Sequence, residues 1–221
     1  MNVVGAPDEW IDLIDTLVPD ILRLVISTWE AMPPPPSDAR EDLTTEYFCR
    51  CLRQNRNSSE LPFSIQIQMV ELDPAAGTDQ GRMDIAFLPL VPRENVYFCL
   101  ECKRLNVVND GQVRPYTSEY VAHGMLRFIR GQYAARVRHG GMLGYVLDGN
   151  VTLAIHNVSR VIRDRFRELG MEPPGDMLPS SVCSYDSRIK ETHHSRNHTS
   201  EKFHIHHIFA AGSLGTDTAI T

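Results

Sequence analysis

The sequence predicts an α/β protein in which helices cover both faces of a mixed β-sheet, three layers in all. Three observations carry this. Strand-like segments at 63–70, 82–88 and 95–103 follow one another with only turns between them, the order of an antiparallel meander. Helical segments precede and follow that meander, and the strand after the second can return parallel to its neighbour. Finally, 42% apolar and 23% charged residues in 221 describe a globular chain long enough to bury a core.

Each element has its own signal. Residues 8–31 place Trp10, Ile14, Val18, Ile21, Leu22, Val25 and Trp29 at helical spacing, with Pro19 expected to kink or split the helix. Four prolines at 33–36 end it in a stiff spacer. Asp38 followed by Glu41 resembles a capping box and starts a helix to about Gln54. Phe63, Ile65, Ile67 and Met69 alternate with polar neighbours, as in a half-buried strand. A loop holds Asn109, Asp110 and Gly111, and a helix is expected from Thr117 to Arg138, broken by Gly140 and Gly141. The segment MLGYVL at 142–147 makes a fourth strand, 151–169 a further helix, and 182–190 with 202–210 a polar β-hairpin around a His-rich turn. The expected organisation is an N-terminal helical segment and proline-rich spacer (1–36), a core (37–169), a C-terminal strand extension (170–210) and a loose tail (211–221).

No apolar run approaches the length that spans a bilayer, and the N-terminus lacks the pattern of a signal peptide. A cytoplasmic protein with no membrane partner is expected. Five cysteines, an odd number, argue against a disulfide framework. The net charge of −6 is unevenly spread: residues 103–167 are basic and the flanking segments acidic. A basic surface on an acidic protein can still hold phosphates.

The sharpest chemical signal is Asp84 on one strand with Glu101 and Lys103 on the next. Residues 101 and 103 share parity, so both side chains leave one face, while Phe98, Leu100 and Cys102 leave the other. Charged groups on so apolar a strand are costly unless partnered. Two carboxylates and a main-chain carbonyl are oxygen ligands of the kind Mg²⁺ takes, and a lysine beside them can act on a phosphate and an attacking water.

Asp84, sixteen residues, then Glu101-Cys102-Lys103 on an apolar strand resembles the PD-(D/E)xK nuclease superfamily. The resemblance covers residues 38–147 and implies a restriction-endonuclease-like core. It implies Mg²⁺-dependent phosphodiester hydrolysis, with Mn²⁺ able to substitute. Asp84, Glu101 and the main-chain carbonyl of Cys102 become metal ligands and Lys103 the catalytic lysine; Glu46 fits the place of the glutamate that many members add from the preceding helix. The motif's proline is absent, since Met83 precedes Asp84. On the following helix, Gln132 and Tyr133 loosely match a Gln–Tyr pair that lines the site in one subgroup. Arg127, Arg130, Arg136 and Arg138 are candidate phosphate contacts. The expected partner is nucleic acid, DNA in preference to RNA. A homo-oligomer or a partner subunit is expected to supply specificity, with a bacterial defence or restriction system as the analogous setting.

Two rivals stand beside this. One is a catalytically inactive structural or partner-binding subunit on the same fold. The other is a zinc-binding regulator using the cysteines and the histidines His193, His194, His198, His204, His206 and His207. Cys99 and Cys102 lie on opposite faces of one strand and cannot share an ion without distortion; His204 and His206 share a face, which permits a metal pair.

Overall fold

The computed structural model describes residues 7–90 and 95–212. Residues 213–221, most of the segment for which the sequence predicts a loose tail, lie outside the described residues. Helix α1 (Pro7–Ala31) runs through Pro19 without a break. Proline inside a helix costs roughly 3 kcal/mol. Here Ile14, Val18, Ile21, Leu22, Val25 and Trp29 are all buried, and each such side chain returns roughly 1.5–3 kcal/mol. Packing therefore outweighs the lost hydrogen bond, and the expected split does not occur.

Helix α2 (Glu41–Ser58) leads into the meander β1 (Phe63–Val70), β2 (Arg82–Pro89) and β3 (Phe98–Leu105). A small hairpin follows, β4 (Val107–Asn109) and β5 (Gln112–Arg114), where the sequence predicts only a loop. Its turn residues Asp110 and Gly111 both have positive φ, 50° and 73°, as a two-residue hairpin turn requires. Then come α3 (Thr117–Tyr120), a π-helical turn (Val121–Met125), α4 (Leu126–Arg130), β6 (His139–Val146), α5 (Val151–Asp164), β7 (Leu178–Pro179), β8 (Ile189–Arg196) and β9 (Thr199–Ala211).

Seven strands form one mixed sheet in the order β1-β2-β3-β6-β9-β8-β7. The meander is antiparallel, β6 runs parallel to both β3 and β9, and β8 closes antiparallel on β9. Helices flank this sheet, as predicted, and the C-terminal hairpin is present. That hairpin is no appendage, because β9 pairs along the whole of β6. On one face α1 and α2 meet at Trp29, which stacks on Tyr145 of β6 at 5.1 Å and lies edge-on to Phe48. The other face carries α3, the π-turn, α4 and α5; Tyr120 there stacks on Phe209. No helix among the described residues is long and apolar enough to cross a membrane.

Several boundaries differ from the sequence reading: the helix expected over 151–169 ends at Asp164, and the strand expected at 142–147 begins at His139. The helix expected to reach Arg138 stops at Arg130, because Gly131 adopts φ 71° and caps it. Residues 131–138 instead form an ordered loop whose carbonyls at Ala134, Ala135 and Val137 accept hydrogen bonds from Arg196. The first C-terminal strand lies at 189–196 rather than 182–190, so His193 and His194 stand on β8 and not in the turn. Pairing of Ile189 with Ile208 sets that register; alternating polar residues on both faces leave no apolar pattern to announce it.

Candidate active site

The ladder between β2 and β3 runs from Phe87↔Phe98 to Ile85↔Leu100. One step further on, the strands part. The freed N–H of Cys102 donates to Asp84 Oδ2 at 2.7 Å. Asp84 is thereby opposite Glu101, and opposed residues of an antiparallel pair share a face. Parity puts Lys103 on that face as well. The structure thus brings Asp84, Glu101 and Lys103 together at a fork in the sheet.

Glu101 is wholly buried yet well partnered. Its Oε1 lies 2.8 Å from Lys103 Nζ and 2.9 Å from an Arg127 guanidinium nitrogen, and its Oε2 accepts from the Tyr133 hydroxyl at 2.6 Å. Lys103 Nζ also donates to the carbonyl of Cys102 at 2.9 Å and pairs with Glu41 at 3.1 Å. Burial works against charge on Lys103, but Glu101, Glu41 and Asp84 outweigh it and hold its pKa above the usual lysine range. Asp84 behaves in the opposite way: burial, and then the neighbouring Glu101, raise it from the usual 3.8 to about 7.

The approach of the helical layer depends on Gly124 in the π-turn. A Cβ there would lie 2.3 Å from the Met142 methyl and 3.7 Å from Glu101 Cγ. A larger residue there would have to displace the flexible end of Met142, so Gly124 eases the approach of the helical layer that carries Arg127 to Glu101.

The other residues singled out from the sequence are placed as follows. Glu46 lines a shallow groove with Cys49, Arg50, Arg53, Ile67 and Gln68. The α2 carboxylate that touches the fork is instead Glu41, which accepts from Lys103 and from the main-chain N–H of Arg104. In the sequence Glu41 has only a capping part; its position at the start of α2, beside the end of β3, is a tertiary fact with no local signal. Tyr133 reaches the site from the 131–138 loop rather than from a helix. Gln132 meets Gly81 through its carbonyl. Three of the four arginines are engaged with acids away from the fork: Arg130 with Glu168, Arg136 with Asp73, and Arg138 with Asp12 and Asp15 of α1. Cys99 and Cys102 are fully buried, and burial pushes both thiols well above their usual range; all five cysteines are free.

The donor set around the fork, two carboxylates and the Cys102 carbonyl, is all oxygen and fits a hard divalent cation such as Mg²⁺ or Mn²⁺. The Lys103 ammonium contacts two of those groups, Glu101 and Cys102 O, while burial, and after it the Glu101 carboxylate, keeps Asp84 raised. Compared with known proteins, the chain matches no family model, no curated protein and no solved structure.

Proposed function

We propose that the chain is a metal-dependent nuclease that hydrolyses phosphodiester bonds of DNA, with its chemistry at the β2–β3 fork. The observation that carries this reading is the convergence of Asp84, Glu101 and Lys103 on one face where the strands part. Asp84, Glu101 and the Cys102 carbonyl would hold Mg²⁺ or Mn²⁺, which when bound supplies Lewis-acid polarisation of the phosphate. Lys103 is held charged by its three carboxylate neighbours. Its part is therefore electrostatic: it orients the attacking water and stabilises charge growing on the phosphate oxygens. Tyr133 and Arg127 fix the orientation of Glu101. Of the four candidate arginines, Arg130 and Arg136 have the most exposed side chains, 59% and 63%, and are the ones assigned to a phosphate backbone. The setting proposed is that of a defence or restriction nuclease, acting as a homo-oligomer or with a partner subunit.

A second reading, an inactive structural or partner-binding subunit, is favoured by one observation. Both oxygens of Glu101 are already satisfied by protein donors, as in a purely structural ion network. Incubating plasmid, linear and single-stranded DNA with the protein in Mg²⁺, Mn²⁺ or EDTA separates the two. Nicking or degradation that needs the ion, and that falls by ~10²–10³-fold or more in Lys103→Ala and to background in Asp84→Asn, is the expected result. Intact DNA under every condition, with the protein folded, supports the inactive subunit.

A further inference from the structure

The sheet's α1-facing side carries a second polar cluster, on β6, β9 and β8 and on the face opposite Glu101 and Lys103. His139 on β6, His204 on β9 and His193 on β8 stand in one row of paired residues, and Glu191 stands opposite His206 in a neighbouring row. Ring centroids are 4.4 Å apart for His193 and His204, and 4.9 Å for His139 and His204. Ligand atoms from Glu191, His193 and His204 all fall within 4.8 Å of one another.

We propose that Glu191, His193 and His204 form a binding site for a borderline divalent transition-metal ion of the Zn²⁺ type, unrelated to the hard-cation fork. The donor set is two imidazole nitrogens and a carboxylate, which suits zinc, and three protein ligands leave a fourth position for water or another ligand.

The surroundings are arranged as outer-shell groups of such a site are. Glu191 Oε2 is fixed by the N–H of Ser181 at 2.8 Å and by its hydroxyl at 2.7 Å. The other oxygen, Oε1, is thereby turned to His193 Nε2 at 2.9 Å. The same cluster contains an unsatisfied nitrogen that no ordinary hairpin needs. His206 is 1% exposed, its Nε2 meets His139 Nδ1 at 3.0 Å, and its Nδ1 has no hydrogen-bond partner. Buried polar atoms left unpaired are rare and ask for a reason.

The test uses the tag-free full chain, stripped with EDTA and titrated with Zn²⁺ and, as a spectroscopic probe, Co²⁺. The expected result is one ion per chain and a rise in melting temperature, with Co²⁺ bands free of thiolate charge transfer. His193→Gln, at a side chain 40% exposed and so tolerant of change, should abolish one-to-one binding. Ser181→Ala should weaken it ~10–100-fold. Asp84→Asn should leave the stoichiometry untouched. No binding by the folded wild-type chain, a thiolate charge-transfer band, or full stoichiometry in His193→Gln would each overturn the proposal.

Discussion

The fork between β2 and β3 and the histidine cluster on β8 and β9 solve the same problem in opposite ways. Both place polar groups inside one sheet. At the fork opposite charges are matched: Glu101 against Lys103 and Arg127, Lys103 against Glu41. Among the histidines burial removes the charge instead, driving His139 to about 3 and His206 to about 4. The first arrangement holds a strong field at a place where two strands have separated. The second keeps the neighbouring His139 and His206 imidazoles neutral on strands that remain paired. The two donor sets therefore differ in kind, oxygen at the fork and imidazole with carboxylate on β8 and β9, and the electrostatics of the fork can be tested from stability.

The largest effect on stability should come from Glu101. It has no exposed surface, and removing one partner from a buried ion network costs about 3–5 kcal/mol. Glu101→Ala should therefore unfold well below wild type in chemical denaturation, besides losing cleavage. An unchanged midpoint would mean that Lys103 and Arg127 re-solvate freely and that the fork is wetter than its burial implies. Arg127→Ala, at a side chain 40% exposed, should cost less.

Asp84 should move stability the other way, and only over part of the pH range. A carboxyl that holds its proton more tightly when folded favours the folded state below about pH 4, and that favour is lost as pH rises to about 7. Wild type should thus lose stability across this window relative to Asp84→Asn, by roughly 2–4 kcal/mol at pH 8. The amide oxygen introduced by Asp84→Asn can still accept from the Cys102 N–H, so the fork should keep its shape. Saturating Mg²⁺ should close the gap in wild type alone. Parallel curves for the two proteins from pH 4 to 8 would show that Asp84 is ionised without cost, leaving no electrostatic reason for a cation at the fork.

How far each feature is legible in the sequence follows from the range of the interaction behind it. Asp84, Glu101 and Lys103 can be brought together from sequence because strand parity and consecutive pairing are local rules, and the apolar run 96–100 marks a central strand. Glu41 cannot be chosen over Glu46, since both sit on the same helix and only the position of its first turn against β3 decides between them. The 131–138 loop reads as helix for a similar reason. Its carbonyls are satisfied by Arg196, about sixty residues away, a buried guanidinium stacked 4.1 Å from the Phe203 ring, and no periodicity reports such a partner. The histidines are visible as composition, but their alignment across three strands requires the register of β8 on β9.

The smallest expected stability change belongs to the exposed arginines, and it sharpens the contrast between held and accessible charge. Arg130 and Arg136 pair with Glu168 and Asp73 at the surface, where such pairs contribute about 0–1 kcal/mol. Arg138 differs: it is 30% exposed and braced between Asp12 and Asp15 of α1. Burial, only partly offset by Arg138, already raises Asp15 to about 6. The double change Arg130→Glu with Arg136→Glu should therefore barely move the melting temperature, whereas Arg138→Glu should lower it. If the two exposed arginines neutralise duplex phosphates, the double variant should bind every DNA sequence more weakly. Its salt slope should shrink by about 1.8 log units of affinity per log unit of salt, at about 0.9 for each phosphate left unneutralised. Cleavage at saturating DNA should persist, because neither residue touches Asp84, Glu101 or Lys103. A salt slope equal to wild type would take both arginines out of the DNA path and leave Arg127, held against Glu101, as the arginine nearest the chemistry.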